Sequence, residues 1–586
     1  ISLGYRGENG LFKNDNYKRL NARVALDHKL LENLKIGTNI TYTYKDQNTR
    51  RDPLNMCNKI VPLSKPYDEN GEVVKRIREY KKMVWSNTLN YLTTFNNIHH
   101  LDFLAGYEID DTYNDYLSGE AYNFTTPDKH AISNGMKTVS VGGSDSRYRL
   151  VSYLSRLNYD YKNKYYLGAS FRVDGSSRLH RDNRWGTFWS VSGAWRTIEE
   201  EFMQPVKDWL TDLRIRASYG VNGTLPSDYF GYMGLSSISG GYLEQPGIQM
   251  SQIANPNLKW ETNYNMNIGL DFGFWDRLNF TIEYYTRTTK NLLMDCPVSM
   301  TTGFSSYLMN IGEVKNKGIE LTINSTNIKI KDFSWNTTFN LGHNSNKVVK
   351  LDGEQTQIVS GTQIHKVGSS YRTFYVQEFA GINPETGNPL FYTNELDENG
   401  NYIKEITENS KNAQFIPYKH AEPTVNGGIS NSLRYKWLDL NFLFSYQFGG
   451  YSYDTWAQKT EHGGYDSYAN IPTYYRDSWK KPGDQTNIEV YMLGKSSSVS
   501  MHKITSSRRI HSTDYFRLKN ITFGITLPKE WTNKINIGNV RFYASASNLW
   551  TWAAYDNYDP EAVSAGSATQ TTPPLKTVTF GFNINF

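Results

Sequence analysis

Cysteine is almost missing from this 586-residue chain: Cys57 and Cys296 are its only two. They lack the spacing of a metal-binding set and the number needed for a disulfide framework. Both are read as unpaired, with one bridge between them as the alternative. Long apolar runs are missing too. No stretch approaches the roughly 18 apolar residues of a spanning helix, and the mean hydropathy is −0.61, which excludes a helical membrane protein. A β-barrel survives that test, because only alternate residues of its strands meet lipid. The net charge of +5 is mild over this length, and no dense Lys/Arg run marks a nucleic-acid face. No P-loop, nucleophile elbow or zinc motif occurs, so the reading includes no enzyme activity, cofactor or metal. Ile1 opens the chain without a Met, a charged n-region or an apolar h-region. The expectation is that a signal peptide is absent and that the chain begins inside a domain.

What the chain does have is aromatic residues and a two-residue period. Tyr, Phe and Trp number 43, 27 and 14, which suits aromatic girdles or sugar-binding surfaces. In the last strand Val578, Phe580, Phe582, Ile584 and Phe586 alternate with Thr577, Thr579, Gly581, Asn583 and Asn585. One face is therefore apolar and the other polar. A soluble sheet seldom ends on such an aggregation-prone edge, whereas a barrel wants lipid outside and water within. These five apolar residues, ending on Phe586, also resemble the signal by which outer-membrane barrels are recognised for assembly. The same period runs through Leu20–Leu26, Leu34–Tyr44, Tyr165–Val173, Leu213–Tyr219, Leu278–Tyr284 and Ile521–Leu527. Arg23, Asp27, Arg214, Arg216, Asn279 and Glu283 occupy the opposite faces.

The connections carry further information. Short ones fall near Leu31–Asn33, Asn96–Ile98, Tyr161–Lys164, Trp275–Arg277, Lys331–Asp332, Lys436–Trp437 and Pro528–Ile537. Long ones fall near Asp46–Met83, Asn114–Arg147, Val221–Lys259, Thr288–Lys315, Val349–Pro423, Gly450–Ser512 and Ala553–Leu575. Asp174–Arg184 is modest for the long side, and Thr197–Leu210 is long for the short side. In outer-membrane barrels short turns face the periplasm and long loops face outward. The alternation predicts an all-β transmembrane antiparallel barrel of about 18 strands, each of about 10 residues. Helical periodicity is weak, and Glu199–Leu210 is read as a short capped turn.

At this point the residues support a resemblance. Arg156–Trp195, Asn255–Phe274, Asn310–Leu321, Tyr515–Pro528 and Val540–Trp550, together with the last strand, are similar to the barrel of SusC/RagA-type TonB-dependent transporters. The resemblance implies a barrel of about 22 strands in the outer membrane of a Gram-negative bacterium, importing a large nutrient of the oligosaccharide or peptide class. It implies a plug in the lumen, a TonB box that couples it to the TonB complex, and a SusD-like surface lipoprotein as lid. The barrel assembly machinery and outer-membrane lipid are further implied partners. On this reading residues 1–586 are the C-terminal part of one receptor barrel, without its signal peptide, N-terminal extension, TonB box and plug, and an 18-strand piece leaves two open edges.

Individual motifs read mostly as structure. Asp174-Gly175-Ser176-Ser177-Arg178 is ordinary turn chemistry. Asp68-Glu69-Asn70-Gly71 and Asp397-Glu398-Asn399-Gly400 resemble pieces of calcium loops but lack the later bidentate Glu, so tight turns are expected. His99-His100 has no third ligand in view and is read as directing a ring into the lumen. Glu199, Glu200 and Glu201 are read as a solvated face. Gly450–Trp479 holds Tyr451, Tyr453, Trp456, Tyr465, Tyr468, Tyr474, Tyr475 and Trp479. As candidates for substrate or lid contact, their rings either stack on substrate or pack the loop against itself or against the lid. Trp550 and Trp552 fit an aromatic belt, with Tyr555 and Tyr558 beyond it. The competing functions are a passive porin, which shares the barrel but needs no plug or lid, and a soluble secreted protein that binds or cleaves glycan. The soluble alternative calls for a blade repeat and paired acidic catalysts, neither of which occurs.

Overall fold

The structure is a computed structural model that describes residues 1–9, 16–49, 72–124, 132–242, 245–351, 356–464, 471–493, 501, 504–532, 534, 538–568 and 574–585. Cys57, the Asp68–Gly71 turn, Tyr465, Tyr468 and Phe586 lie outside that set.

Eighteen strands form one antiparallel sheet. In chain order they are β1 (Ser2–Asn9), β2 (Asn16–Leu31), β3 (Leu34–Thr49), β4 (Glu72–Phe95), β5 (His99–Phe124), β6 (Gly135–Tyr161), β7 (Tyr165–Ser176), β8 (Trp185–Trp195) and β9 (Leu210–Thr224). They continue as β10 (Glu261–Phe274), β11 (Leu278–Lys290), β12 (Glu313–Lys329), β13 (Phe333–Lys350), β14 (Val425–Tyr435), β15 (Leu438–Phe448), β16 (Tyr515–Thr526), β17 (Asn539–Ala553) and β18 (Thr577–Asn585). Each strand pairs with its neighbours in sequence, so the sheet is a pure meander. Among the described residues β1 and β18 have one neighbour each, so the ladder is not closed between them.

Cross-strand register joins the apolar positions into continuous rows. Phe272 faces Phe280, Phe280 faces Ile323, and Ile323 faces Phe339. The rings of Phe272 and Phe280 stack at 4.9 Å. Yet Val191, Ile215, Ile268 and Ile282 are exposed. The wall is thus turned inside out relative to a soluble fold. Its buried hydrophobic clusters lie mainly among the long connections, around Leu179, Leu258 and Trp260, around Cys296, Val348 and Ile358, around Phe374, Val376 and Tyr453, and around Phe391 and Met501. An exposed apolar band of this extent requires lipid rather than water.

The opposite face of the wall is polar and cross-linked. Arg214 and Arg216 reach Asp271 at 2.9 and 3.0 Å, and Arg216 also pairs with Glu283. Lys82 meets Asp110 at 2.6 Å and Arg156 meets Asp102 at 3.3 Å. Arg541 reaches Asp439 across an intervening strand at 2.6 Å. Gly524, in register with Asp439, lies beneath this pair, and a Cβ there would collide with both side chains.

Three expectations need correction. The segment Asn114–Arg147 is not mainly loop, because β5 and β6 run for 26 and 27 residues, and β4, at 24 residues, already begins at Glu72 within the stretch read as the connection Asp46–Met83. Backbone pairing, not apolar alternation, sustains a ladder, and the Thr, Tyr and Val of these segments keep it going past the apolar band. The short-side link between β8 and β9 is two 3-10 turns, Thr197–Glu199 and Glu201–Val206, with no side-chain cap. Nor is Glu200 part of a solvated face. It accepts hydrogen bonds from the Tyr165 hydroxyl at 2.6 Å and the Trp195 indole at 3.1 Å, and it pairs with Lys164 at 3.4 Å. These donors, Tyr165 foremost, hold its carboxyl below the usual range. Sequence reasoning missed it because its three anchors lie on two other strand ends.

Candidate functional site at the long-connector end

The connections after β13, β15 and β17 fold together into one layer. Gln357–Ser360, Gln363–Lys366, Thr373–Gln377 and Phe415–His420 form a four-stranded sheet. Tyr451–Asp454 pairs antiparallel with Ile510–Ser512 and parallel with Ser567–Ala568, so β15's connection is sewn to β17's. Gln363 ties the first connection to the third by donating to the Ala565 carbonyl at 2.7 Å.

The aromatic residues singled out in Gly450–Trp479 divide by environment. Tyr453 is fully enclosed with Phe374, Val376 and Ile510. Tyr475 is buried and donates to Glu489 at 2.9 Å. Tyr474 is half-buried and donates to Glu461. Burial first, and then these carboxylates, push both phenols well above the usual range. Trp479 covers the Gly387 turn and donates from its indole to the Pro384 carbonyl at 2.7 Å. Tyr451 is half-buried with the Lys419 ammonium 5.3 Å from its ring, and Trp456 is half-buried on the helical turn Thr455–Thr460.

Beneath them lies a charged core that the sequence pattern did not reveal. Arg508 pairs with Glu489 at 3.1 Å and lies 3.9 Å from Glu461, while buried Arg509 donates to the Met501 carbonyl at 2.9 Å. Asp454 caps the Thr455–Thr460 turn through the Trp456 and Ala457 amides at 3.0 and 2.8 Å, and accepts from the Tyr555 hydroxyl at 2.9 Å. His511 stacks on Tyr555 with ring centroids 3.7 Å apart. Tyr558 reaches Ser452, and burial foremost pushes its phenol up to about 12. Tyr555 and Tyr558 thus turn into the layer, whereas Trp550 and Trp552 stay exposed on β17.

The remaining motifs are structural. Arg178, closing the Asp174–Arg178 turn, sits between the rings of Tyr148 and Tyr229 at 4.0 and 4.3 Å. Asp397 accepts from the amides of Asn399 and Asn401 at 2.9 and 2.8 Å, a tight turn. His99 and His100 alternate like any strand pair. His99 meets Tyr159 at 2.7 Å on the apolar face, and only His100, 2.9 Å from Thr94, faces the polar side. Cys296 is a buried free thiol, and burial pushes it up to about 11. On the polar wall toward the short turns, a hollow of about 770 Å³ is lined by His100, Asp102, Asn158, Ser192, Arg216 and Asn267. At the last strand, Val578, Phe580, Phe582 and Ile584 all stand exposed on the apolar face, in register with β17.

Comparison with known proteins places this architecture. A family described as "TonB dependent receptor-like, beta-barrel" matches residues 2–402. TonB-dependent receptor P3 of Formosa agariphila is 31% identical over 88% of this chain and 53% of its own length. TonB-dependent receptor SusC of Bacteroides thetaiotaomicron is 29% identical over 96% of this chain and 55% of its own length. The chain therefore spans about half the length of the curated relatives it matches. A solved structure of the RagAB peptide transporter superposes with a TM-score of 0.81 at 26% identity, covering 98% of this chain and 62% of the other.

Proposed function

The chain belongs to the family of TonB-dependent receptor-like β-barrels, and from that premise we propose that it is the wall and outer loop layer of a SusC/RagA-type importer in the outer membrane of a Gram-negative bacterium. The observation that carries the reading is the inversion of the wall. An exposed apolar face surrounds a face cross-linked by Arg–Asp and Arg–Glu pairs, and the packed hydrophobic cores sit in the loops. A wall of this kind suits lipid outside and a hydrated lumen within. Membership of the barrel family sets aside the soluble glycan-binding alternative.

The cargo is a large nutrient of the oligosaccharide or peptide class, moved with energy delivered through TonB, and a SusD-like lipoprotein covers the loop layer. Relatives named SusC and RagAB peptide transporter support this class. Half-buried Tyr451, Trp456, Tyr474 and Trp479 contact cargo or lid, while enclosed Tyr453 and Tyr475 hold those contacts in place from beneath. The barrel assembly machinery recognises the C-terminal strand, so removing Phe586 lowers the amount of heat-modifiable barrel on gels.

The test is uptake. A strain carrying the intact gene takes up a labelled oligosaccharide or oligopeptide, and a protonophore stops it. Uptake that persists after the proton gradient collapses makes the protein a passive pore. Trimming Gly450–Trp479 is a poor probe, because it removes Tyr453 from the loop core. The Tyr451→Ala/Trp456→Ala variant avoids that damage. It is expected to cut uptake with normal barrel levels, and unimpaired uptake removes these two rings from the contact surface.

A further inference from the structure

On the apolar face of β11–β13 the rows end abruptly in lysine. Lys315 and Lys347 are directly opposite each other, and Lys317 follows on the same face opposite Ser345. On the other side Thr288 faces Lys315 and Thr286 faces Lys317. All three lysines are exposed. Among the described residues none of the three has a carboxylate partner, whereas neighbouring Lys290 lies 4.0 Å from Glu313. Like charges directly across a ladder are destabilising, so an uncompensated Lys315–Lys347 pair is a feature that an anion would relieve.

Height on the wall identifies the anion. Ile323, opposite Phe280 and Phe339, is at the middle of the apolar rows. Lys317 and Lys315 are six and eight residues above it, about 15 and 20 Å along the membrane normal for strands tilted roughly 40°. The apolar band ends about 12–13 Å from its midplane. The ammonium groups therefore stand just beyond the acyl region, among lipid head groups, facing away from the lumen and the cargo path. They are on the side of the long connectors, which the proposed orientation makes the outer leaflet.

We propose that Lys315, Lys317 and Lys347, with Thr286, Thr288 and Ser345, form a binding site for the phosphorylated sugar head group of an outer-leaflet glycolipid. Three ammonium groups neutralise phosphate, and three interleaved hydroxyls can hydrogen-bond phosphate or sugar. The acyl chains continue down the rows of Ile319, Leu321 and Ile323. The proposal rests on the outer-membrane orientation given above.

The test uses the receptor purified in mild detergent, with diphosphoryl lipid A as probe. Each lysine at an anionic surface contributes about fivefold in affinity, so the Lys315→Gln/Lys317→Gln/Lys347→Gln variant should bind roughly 100-fold more weakly. Dephosphorylated lipid A should bind the native and triple-variant proteins alike. The variant should keep its folded mobility on unheated gels, and Lys331→Gln/Lys436→Gln at the opposite rim should bind like the native protein. Equal binding of diphosphoryl lipid A by the native protein and the triple variant overturns the site. So does phosphatidylglycerol binding as tightly, or inorganic phosphate displacing the probe at equal concentration. Orientation is read separately, by labelling Ser360→Cys with an impermeant maleimide on whole cells. Labelling only after the membrane is opened refutes the orientation, whereas lost lipid discrimination with normal labelling refutes the glycolipid site alone.

Discussion

A single arginine scanned along one strand tests the assignment of faces and depth. Ile323 lies on β12 in the row Phe272–Phe280–Ile323–Phe339. The pair Ile328–Trp335 marks the short-turn edge of that face, five residues below. Five residues at ~3.3 Å each, tilted about 40°, rise about 13 Å, half of the ~25 Å apolar band. Ile323→Arg therefore places a guanidinium at the midplane and should cost about 2–4 kcal/mol, a roughly 30- to 900-fold loss in the folding equilibrium. Ile319→Arg, four residues nearer the outer edge, can reach the head groups and should cost about 0–1 kcal/mol. Thr322→Arg faces the lumen, where the hydroxyl donates to Asn340 at 2.9 Å. Losing that bond in a hydrated site should cost about 1 kcal/mol. The measurement is a urea titration of refolding into lipid vesicles, followed by tryptophan fluorescence, with gel mobility before and after boiling as the check on folding. Equal costs at 323 and 319, or at 323 and 322, would refute the assignment of depth or of face.

Three further outcomes follow from the loop layer. Arg517 is 1% exposed and bonds Asp559 at 2.6 Å as well as Glu561. Arg517→Leu leaves Asp559 without its guanidinium, while Glu561 keeps Lys519 at 2.8 Å, and should lower the local stability of the 554–568 connection by about 1.5–3 kcal/mol, read as faster amide exchange there, and unchanged exchange refutes it. Gly387 has φ +70° with Trp479 ring carbons 2.6 Å from where a Cβ would sit. Gly387→Ala should therefore cost about 1–3 kcal/mol and expose Trp479 to fluorescence quenchers, and an unaltered spectrum contradicts the packing. Burial pushes His365 and His511 below the ordinary imidazole range. The unfolded layer then binds more protons than the folded one once pH falls below about 6.5, so stability is full above that value and declines below it. Once the slower intrinsic exchange at low pH is divided out, amide protection in 356–377 and 504–514 should be weaker at pH 5.5 than at pH 7.5, and His511→Phe, which keeps the stack on Tyr555, should reduce the difference.

The sequence by itself determined the wall. A meander pairs each strand with its chain neighbour, so register depends on adjacent turns, and the period of two in Leu213–Tyr219 or Leu278–Tyr284 already states which face meets lipid. The strand number, the polar face of Arg214, Arg216 and Glu283, and the alternation of short and long connections were all legible for that reason. The lengths of β4–β6 were not, since their apolar alternation stops before their backbone pairing does. Only tertiary structure decided the loop layer. Tyr453, Tyr474 and Trp456 look alike in sequence, yet the first is sealed by Phe374 and Ile510 while the other two keep part of their rings in solvent. The contacts that separate them join residues 57 to 202 positions apart, such as Tyr453 with Ile510 and Gln363 with Ala565. The same holds for Glu200, whose donors lie on two strand ends, and for Lys315 and Lys347, which become a pair only across a ladder. No local period encodes such meetings, because they are set by how three long connections share one end of the sheet.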